Sequence, residues 1–354
     1  MAEGHEAFVN IMEQQSGFGN YATAGGLSID IESESMNPGY EVRQNNNRMS
    51  RRRIPNPDSF QFGQQKPAGD LTFNPSITEM VPFLMNTFQD VGVNPASGTV
   101  KAGTFYGTLF FAMMETYVDW TGSTWGSIHN PSGLTIGGGT IKQGDVYPLY
   151  MIKYFGDEVA KSEVYQDMIT DSLKFSVAVG GDLQFVQSFK AASFVDNSSI
   201  VPSELFIIEN QFPDWQATVS IDSTDYDVES ISLTIPNTTR DRMKLGRRSP
   251  ARFPFGVSLP SGEFVYELQD NSKFPVFGSS VILFTVASGS DWMKIQMANA
   301  KFGNYGKNLT GAENPINNTI PFSCYPSGTS NGTPAIVCMV HGTFATRNFT
   351  CWGQ

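Results

Sequence analysis

The residues able to do chemistry are few and scattered. The histidines are His5, His129 and His341, and none stands beside a serine or cysteine nucleophile motif. The chain has no Gly-x-Ser-x-Gly elbow and no His-Glu-x-x-His pattern. It also lacks two histidines and a carboxylate within local reach. Cys324, Cys338 and Cys351 are odd in number and widely spaced, so they read as free thiols of a reducing compartment and not as a zinc site. Gly137-Gly138-Gly139 is followed by no Lys-Ser/Thr pair and opens no helical pattern, so it is not a phosphate loop. The sequence points to no catalytic residue, no cofactor and no metal, and therefore away from an enzyme.

Carboxylates are plentiful, and two rows stand out. Asp30, Glu32 and Glu34 alternate within Leu27 to Ser35, and Asp225, Asp227 and Glu229 alternate in the second half. On a strand each row would occupy one face, with Ile29 and Ile31 pointing the other way. Acid–base catalysis needs two carboxyls in different environments. A row on one face shares a single environment. Local spacing does not decide whether carboxylates elsewhere assemble into a glycosidase pair. Each row is either a solvated strand face or a negative surface that repels a charged passenger.

The formal net charge is −11, which argues against binding nucleic acid by phosphate neutralisation. The cations that do cluster sit in two loops. One ends in Arg51, Arg52 and Arg53; the other holds Arg240, Arg242, Lys244, Arg247, Arg248 and Arg252. They are solvated turns, nucleic-acid patches or contacts to acidic surfaces of neighbouring copies. No aromatics interleave them, and they recur at matching places in both halves, which favours contacts between copies.

The elements that would position these residues are mostly strands. Leu173, Phe175, Val177 and Val179 alternate with Lys174, Ser176 and Ala178. Gly180-Gly181-Asp182 then breaks the run, and Leu183, Phe185 and Phe189 resume it, which is a β-hairpin with one buried face. The best helix is Ser76 to Gln89, with Ser76 and Glu79 as a capping box and Pro82 inside as a source of a kink or a later start. Further strands are expected at 60–73, 104–118, 146–155, 262–268, 280–286, 292–297, 318–325 and 335–340. No run of about 20 apolar residues exists to span a membrane, and the first 15 residues are not a signal peptide.

Acidic strand, basic loop, Pro-bounded strands and closing hairpin appear twice. Asp30 maps to Asp225 and Arg52 to Arg247 at one offset. The pattern divides the chain into an N-terminal arm (1–26), a first module (27–200) and a second (201–354). A Gly-rich segment, about 121–145, reads as an insertion in the first.

At this level the chain resembles the major tail tube protein of a tailed, siphophage-like bacteriophage carrying two fused tube modules. The resembling stretches are VYQDMITDSLKFSVAVGGDLQFVQSFKAASF, VESISLTIPNTTRDRMKLG, DWMKIQMANAKFG, INNTIPFSCYPS and GTPAIVCMVHG. The likeness lies in the order of elements over about residues 20–350 and not in one short motif. It implies a mainly β chain of two tandem β-sandwich or half-barrel modules, each with a flanking helix. Three copies would close into a pseudo-hexameric ring around a β-barrel, and rings would stack into a long non-contractile tail tube. The tape-measure protein and DNA would pass through the lumen without specific binding. Tail terminator and baseplate or distal tail proteins would cap the ends, in a virion assembled in the host cytoplasm. No membrane is involved.

Under that resemblance the lumen-facing candidates are Asp30, Glu32, Glu34, Asp225, Asp227 and Glu229, because a channel for DNA should repel phosphate. The inter-ring candidates are Arg51, Arg52, Arg53, Arg247 and Arg248. Competing readings are a baseplate hub or distal tail ring, a capsid decoration protein, and a carbohydrate-binding or glycan-cleaving β-sandwich adhesin in which Trp120, Trp125 and Trp215 stack on sugars.

Overall fold

The computed structural model describes residues 8–13, 26–44, 60–88, 90–93, 99–101, 104–112, 134–136, 139–141, 148–156, 162–198, 200, 202, 209, 211–251, 253–267, 279–303, 317–326 and 335–345. Arg51, Arg52, Arg53, Trp120, Trp125, His5, His129, Cys351 and most of 121–145 lie outside them.

The chain is mainly β and antiparallel. It begins with β1 (Phe8–Glu13), β2 (Leu27–Ile29) and β3 (Ser33–Glu34). The hairpin β4 (Tyr40–Gln44) and β5 (Phe60–Gln65) follows, then β6 (Ala68–Phe73) and the helix α1 (Ile77–Thr87). Next are β7 (Asp90–Val93), β8 (Thr99–Lys101) and β9 (Thr104–Ala112). Within the Gly-rich segment, β10 (Leu134–Ile136) and β11 (Gly139–Ile141) form a separate hairpin. The first half closes with β12 (Leu149–Tyr154), β13 (Ser162–Ala178), β14 (Gln184–Lys190) and β15 (Ser193–Ser198). The second half holds β16 (Ala217–Ile221), β17 (Thr224–Tyr226), β18 (Val228–Pro236), β19 (Ser261–Glu267), β20 (Ser280–Ser288), β21 (Asp291–Phe302), β22 (Asn317–Cys324) and β23 (Ile336–Ala345).

The 17-residue strand β13 is the spine. Its first half pairs with β12 on one edge and β15 on the other. Its second half pairs with β14 and β18. Asp167, at φ 54°, lies where β13 exchanges β15 for β14. β21 behaves alike: it pairs with β23 from Trp292 to Met297, then with β22 from Ala300. Asn299, at φ 52°, marks that change. Asp and Asn tolerate this left-handed backbone better than other non-glycine residues.

One layer runs β3–β6–β14–β13–β18–β19–β22. The other runs β17–β16–β20–β21–β23–β9–β7. They face each other: Phe175 and Leu233 of the first line one small apolar void with Phe284, Ile295 and Met297 of the second. The period-2 pattern explains the packing, since Phe175, Phe185 and Leu233 are buried while Lys174 between them is exposed. Phe175 and Phe185 meet edge to face at 4.8 Å.

Helix α1 fills the space between the layers and is buried throughout. Phe83 packs on Phe73 at 4.6 Å, and a Cβ at Gly342 of β23 would collide with Ile77. Ser76 is the N-cap and its capping box with Glu79 is present. The helix runs through Pro82, starting at Ile77 and stopping two residues short of the expected Gln89.

One expectation meets a different structure. The segment 1–26 reads as an arm, yet Phe8–Glu13 is a strand held between β2 and β12. Val9 and Ile11 are core residues there, and Asn10 donates its amide to Ser28 Oγ at 3.2 Å. The residues 27–200 and 201–354 share one apolar core running from Val9 to Val340, because β18 pairs with β13 and β23 with β9. No closed barrel forms among the described residues.

Candidate functional site

The acidic rows are not strand faces. Between Ile29 and Ser33 the chain changes partners, since β2 pairs with β1 and β3 with β6. Asp30, Glu32 and Glu34 therefore take separate environments. Asp30 is exposed. Glu32 accepts hydrogen bonds from Asn74 Nδ2 and Gln184 Nε2, each at 2.7 Å. Glu34 pairs with Lys153 and accepts the Met36 N–H at 2.9 Å. In the second row, Asp225 belongs to β17, Asp227 to the connection, and Glu229 to a bulge in β18.

Asp225, Asp227 and Glu229 do converge in space, around a cleft of about 390 Å³. Asp214 joins them from a short 3-10 turn (Asp214–Gln216), and its Oδ2 accepts the Gly180 N–H at 2.7 Å. Val177 and Phe284 supply apolar wall, and Val179, 74% exposed, stands at the cleft. Among the described residues no lysine or arginine lines it. Desolvation raises the pKa of Tyr226 in the same wall, aided by Tyr266 and Asp222.

The basic loop stands at the other end of β18. It starts at Asn237, which follows Pro236 directly, whereas the cleft takes Val228 to Ile231 from the start of the strand. Eight residue steps at about 3.3 Å separate the ends by about 26 Å. The loop is a built structure. Ala251 N–H donates to Arg242 O at 2.9 Å, and Arg247 N–H to Lys244 O at 3.2 Å, closing a tight turn. Gly246 supplies φ 81° at its third position, as a type II turn requires. Gln65 N–H donates to Arg248 O at 2.8 Å, tying the loop to β5. Arg240, Arg242, Lys244, Arg247 and Arg248 are exposed, and Leu245 at the tip is fully so. Among the described residues none of these cations has a carboxylate partner.

Between the two ends lies a sheet face that sequence reasoning did not single out. Cross-strand pairing sets Thr72, Val186, Lys174, Thr234, Ser261 and Ser323 in one row over six strands. The next row is Gln184, Ser176, Ser232, Glu263 and Pro321. Small hydroxyl side chains make up four of the six positions in the first row and two of the five in the second. The alternation of Ser172, Ser176, Ser230 and Ser232 with core residues carries the signal; that β18 lies beside β13 is a long-range fact. Asp70 and Glu263 stand there against Lys174, which leaves the face one negative charge and no basic patch. Among the described residues β22 has no strand partner on its outer edge from Asn317 to Ile320, while Pro321 O accepts the Gly303 N–H at 2.8 Å, and β3 has none beyond β6.

The other histidine and cysteines among the described residues sit in packed surroundings. His341 stacks on Trp292 at 5.1 Å and shares a hydrogen bond with Thr108 Oγ1 at 2.8 Å. Burial lowers its pKa, with Asp291 opposing and Lys294 assisting. Cys324 and Cys338 are buried and unbridged. Burial pushes the Cys324 thiol up to about 12 and Cys338 further. Among the described residues no three His, Cys, Asp or Glu side chains, those around the cleft included, come together closely enough to hold a metal ion, and no helix is long and apolar enough to cross a membrane. Compared with known family models and with curated proteins, the chain matches none.

Proposed function

We propose that the chain is the structural subunit of a phage tail tube, working by shape and self-assembly and catalysing no reaction. The observation that carries this reading is the seven-stranded layer β3–β6–β14–β13–β18–β19–β22. It crosses both halves of the chain without a break, buries one face and presents small hydroxyls on the other. An unpaired strand edge is a template for another chain. The outer edge of β22 in one copy pairs with the β3 edge of the next, and a rotation that closes gives a ring. The hydroxyl face then lines a channel. Free of large basic patches, it lets DNA and a tape-measure protein slide without arrest.

In this assembly the two halves act as fused modules and three copies form a pseudo-hexameric ring. Glu32 lies at the border of the channel face through its bond to Gln184. Asp225, Asp227 and Glu229 lie at one rim, where they repel phosphate, and Arg247 and Arg248 lie at the opposite rim. The tube belongs to a long non-contractile tail in the virion, capped by terminator and distal tail proteins. Electron microscopy of the purified chain at high concentration tests this. Rings or stacked tubes with an open channel support it, single rings that never stack favour a hub or distal tail ring, and monomers alone overturn it.

One feature favours a second reading. Trp215 is 77% exposed, and its neighbour Asp214 lines the acidic cleft. An exposed indole beside carboxylates is a platform for a sugar ring. A glycan array gives a hit abolished by Trp215→Ala if the chain is an adhesin, and no hit if it is a tube subunit.

A further inference from the structure

We infer that the tip of the basic loop of one copy docks into the acidic cleft of a second copy, joining copies head to tail. This rests on the self-assembly reading above and names the contact that the reading leaves open. Three observations carry it. First, the two surfaces are complementary in charge: Asp214, Asp225 and Asp227 stand around a cleft that no lysine or arginine lines among the described residues, and Lys244, Arg247 and Arg248 stand on a loop without carboxylate partners among the described residues. Second, they are complementary in shape and polarity. The cleft is a concavity of about 390 Å³ with Val177, Phe284 and the exposed Val179 in its wall, and the loop is a convex turn tipped by the fully exposed Leu245. A bare leucine at the tip of a hydrogen-bonded turn is a poor solvent group and a good anchor, since burying it removes apolar surface from water. Third, the surfaces sit at opposite ends of one strand, β18, so a copy cannot satisfy its own cleft with its own loop.

Surfaces at opposite ends of a rigid body make a heterologous contact that propagates along the body's axis. Here that axis is the direction of β18, across the ring edges proposed above and not along them. Ring closure and stacking would then use different surfaces: strand edges β3 and β22 for the first, loop and cleft for the second. Charge at the contact fixes register and partner, and Leu245 supplies apolar burial. The contact is strongest at low salt, because the Debye length shrinks from about 10 Å at 0.1 M to about 3 Å at 1 M.

The test uses the full chain and two charge-reversed variants, Arg247→Glu with Arg248→Glu, and Asp225→Lys with Asp227→Lys. All four positions lie on the loop or the cleft rim, and unchanged thermal melts confirm that each variant folds. Sedimentation and negative-stain microscopy at 0.1 M salt should show stacked tubes for the native chain and loss of stacking for each variant alone. Mixing the variants in equal amounts should restore stacking, because each loop then finds a cleft of opposite sign. As a second measurement, Leu245→Cys with Val179→Cys, in a Cys351→Ser background, should give covalent ladders on oxidation. Tubes that form unchanged from both variants, or a mixture that stays unstacked, overturn the docking and leave the tube reading intact. A native chain that forms no rings at any concentration overturns the tube reading, and the docking with it.

Discussion

Glu209 grips Thr78 twice: its carboxylate accepts the backbone N–H at 3.0 Å and the hydroxyl at 2.7 Å. Thr78 is the second residue of α1, so a carboxylate from the second half of the chain satisfies a donor that the helix leaves open. Glu209→Ala should remove two charge-assisted bonds and strand the Thr78 groups. A loss of about 2–3 kcal/mol is expected in urea unfolding. Glu209→Gln keeps the shape and should lose less. Equal stability of native and alanine proteins would tell against this clamp.

At its other end α1 is held by a buried polar network. Asn86 donates to Met168 O at 3.0 Å and accepts the Thr170 N–H at 2.7 Å. Gln187 donates to Thr87 Oγ1 at 3.1 Å and to Thr170 Oγ1. Asn237 reaches Thr87 O and Thr170 O, each at 3.1 Å. Helix, spine and the root of the basic loop thus share one set of bonds. Removing one member leaves the others unsatisfied in a dry site, so Asn86→Ala should cost about 2–4 kcal/mol. In a double-mutant cycle Asn86→Ala and Asn237→Ala should be non-additive by about 0.5 kcal/mol or more. Additivity would mean the two asparagines act independently.

Acid should weaken the same corner. Asp171 Oδ1 accepts the Thr239 N–H and the Lys190 Nζ, both at 2.9 Å, and the Thr239 hydroxyl. Burial by itself raises a carboxyl pKa, but the bonds from Thr239 and Lys190 outweigh it and hold Asp171 below its ordinary value. An unfolded aspartate takes its proton near 3.9. The contribution of Asp171 is therefore fully present above about pH 4 and is lost as pH falls through the lower folded value. The stability difference between the native protein and Asp171→Asn should shrink as pH drops below about 4. A difference that stays constant to pH 2 would overturn the assignment.

What was legible in the sequence was local. The hairpin follows from Phe175 and Val177 alternating with Lys174 and Ser176, and the helix start from Ser76 and Glu79. β1 was hidden because Val9, Asn10 and Ile11 are all buried, and a strand buried on both faces shows no alternation. The acidic rows misled because spacing cannot see the chain change partners between Ile29 and Ser33. The acids of the cleft lie close in sequence, from Asp214 to Glu229 through β16, β17 and β18, but its apolar walls come from the end of β13 and from β20, which local spacing does not place beside them. The hydroxyl face had the same problem: its serines are visible, but their continuity across β13 and β18 is set by long-range pairing.

The buried thiols give a reactivity prediction. Cys324 is held near 12 and Cys338 higher, both by burial, so neither forms thiolate at ordinary pH. In a Cys351→Ser protein, alkylation at pH 8 should label neither until denaturant is added. Peptide mapping by mass spectrometry reads each site separately. Labelling of Cys324 or Cys338 in the folded protein, at the rate of a free thiol, would mean that the β21–β23 region opens readily.

The two faces of β13 should answer differently to a new charge. Phe175 is 2% exposed and packs on Phe185, so Phe175→Asp puts an unpaired carboxylate into the apolar core. Truncation alone costs about 3–5 kcal/mol, and the buried charge adds to it, which exceeds much of the stability of an ordinary domain. No folded protein is expected, and circular dichroism reads this directly. Lys174 is the next residue and points to the other side, between Val186 and Thr234 in the hydroxyl row. Lys174→Glu should leave the melting curve within a degree or two of native, since an exposed charge contributes little. If the chain closes into rings as proposed, Lys174→Glu should keep them intact, because β13 lies in the middle of the layer, away from the β3 and β22 edges. If Lys174→Glu unfolds the chain, this face is not solvent-exposed, and the channel placement fails with it.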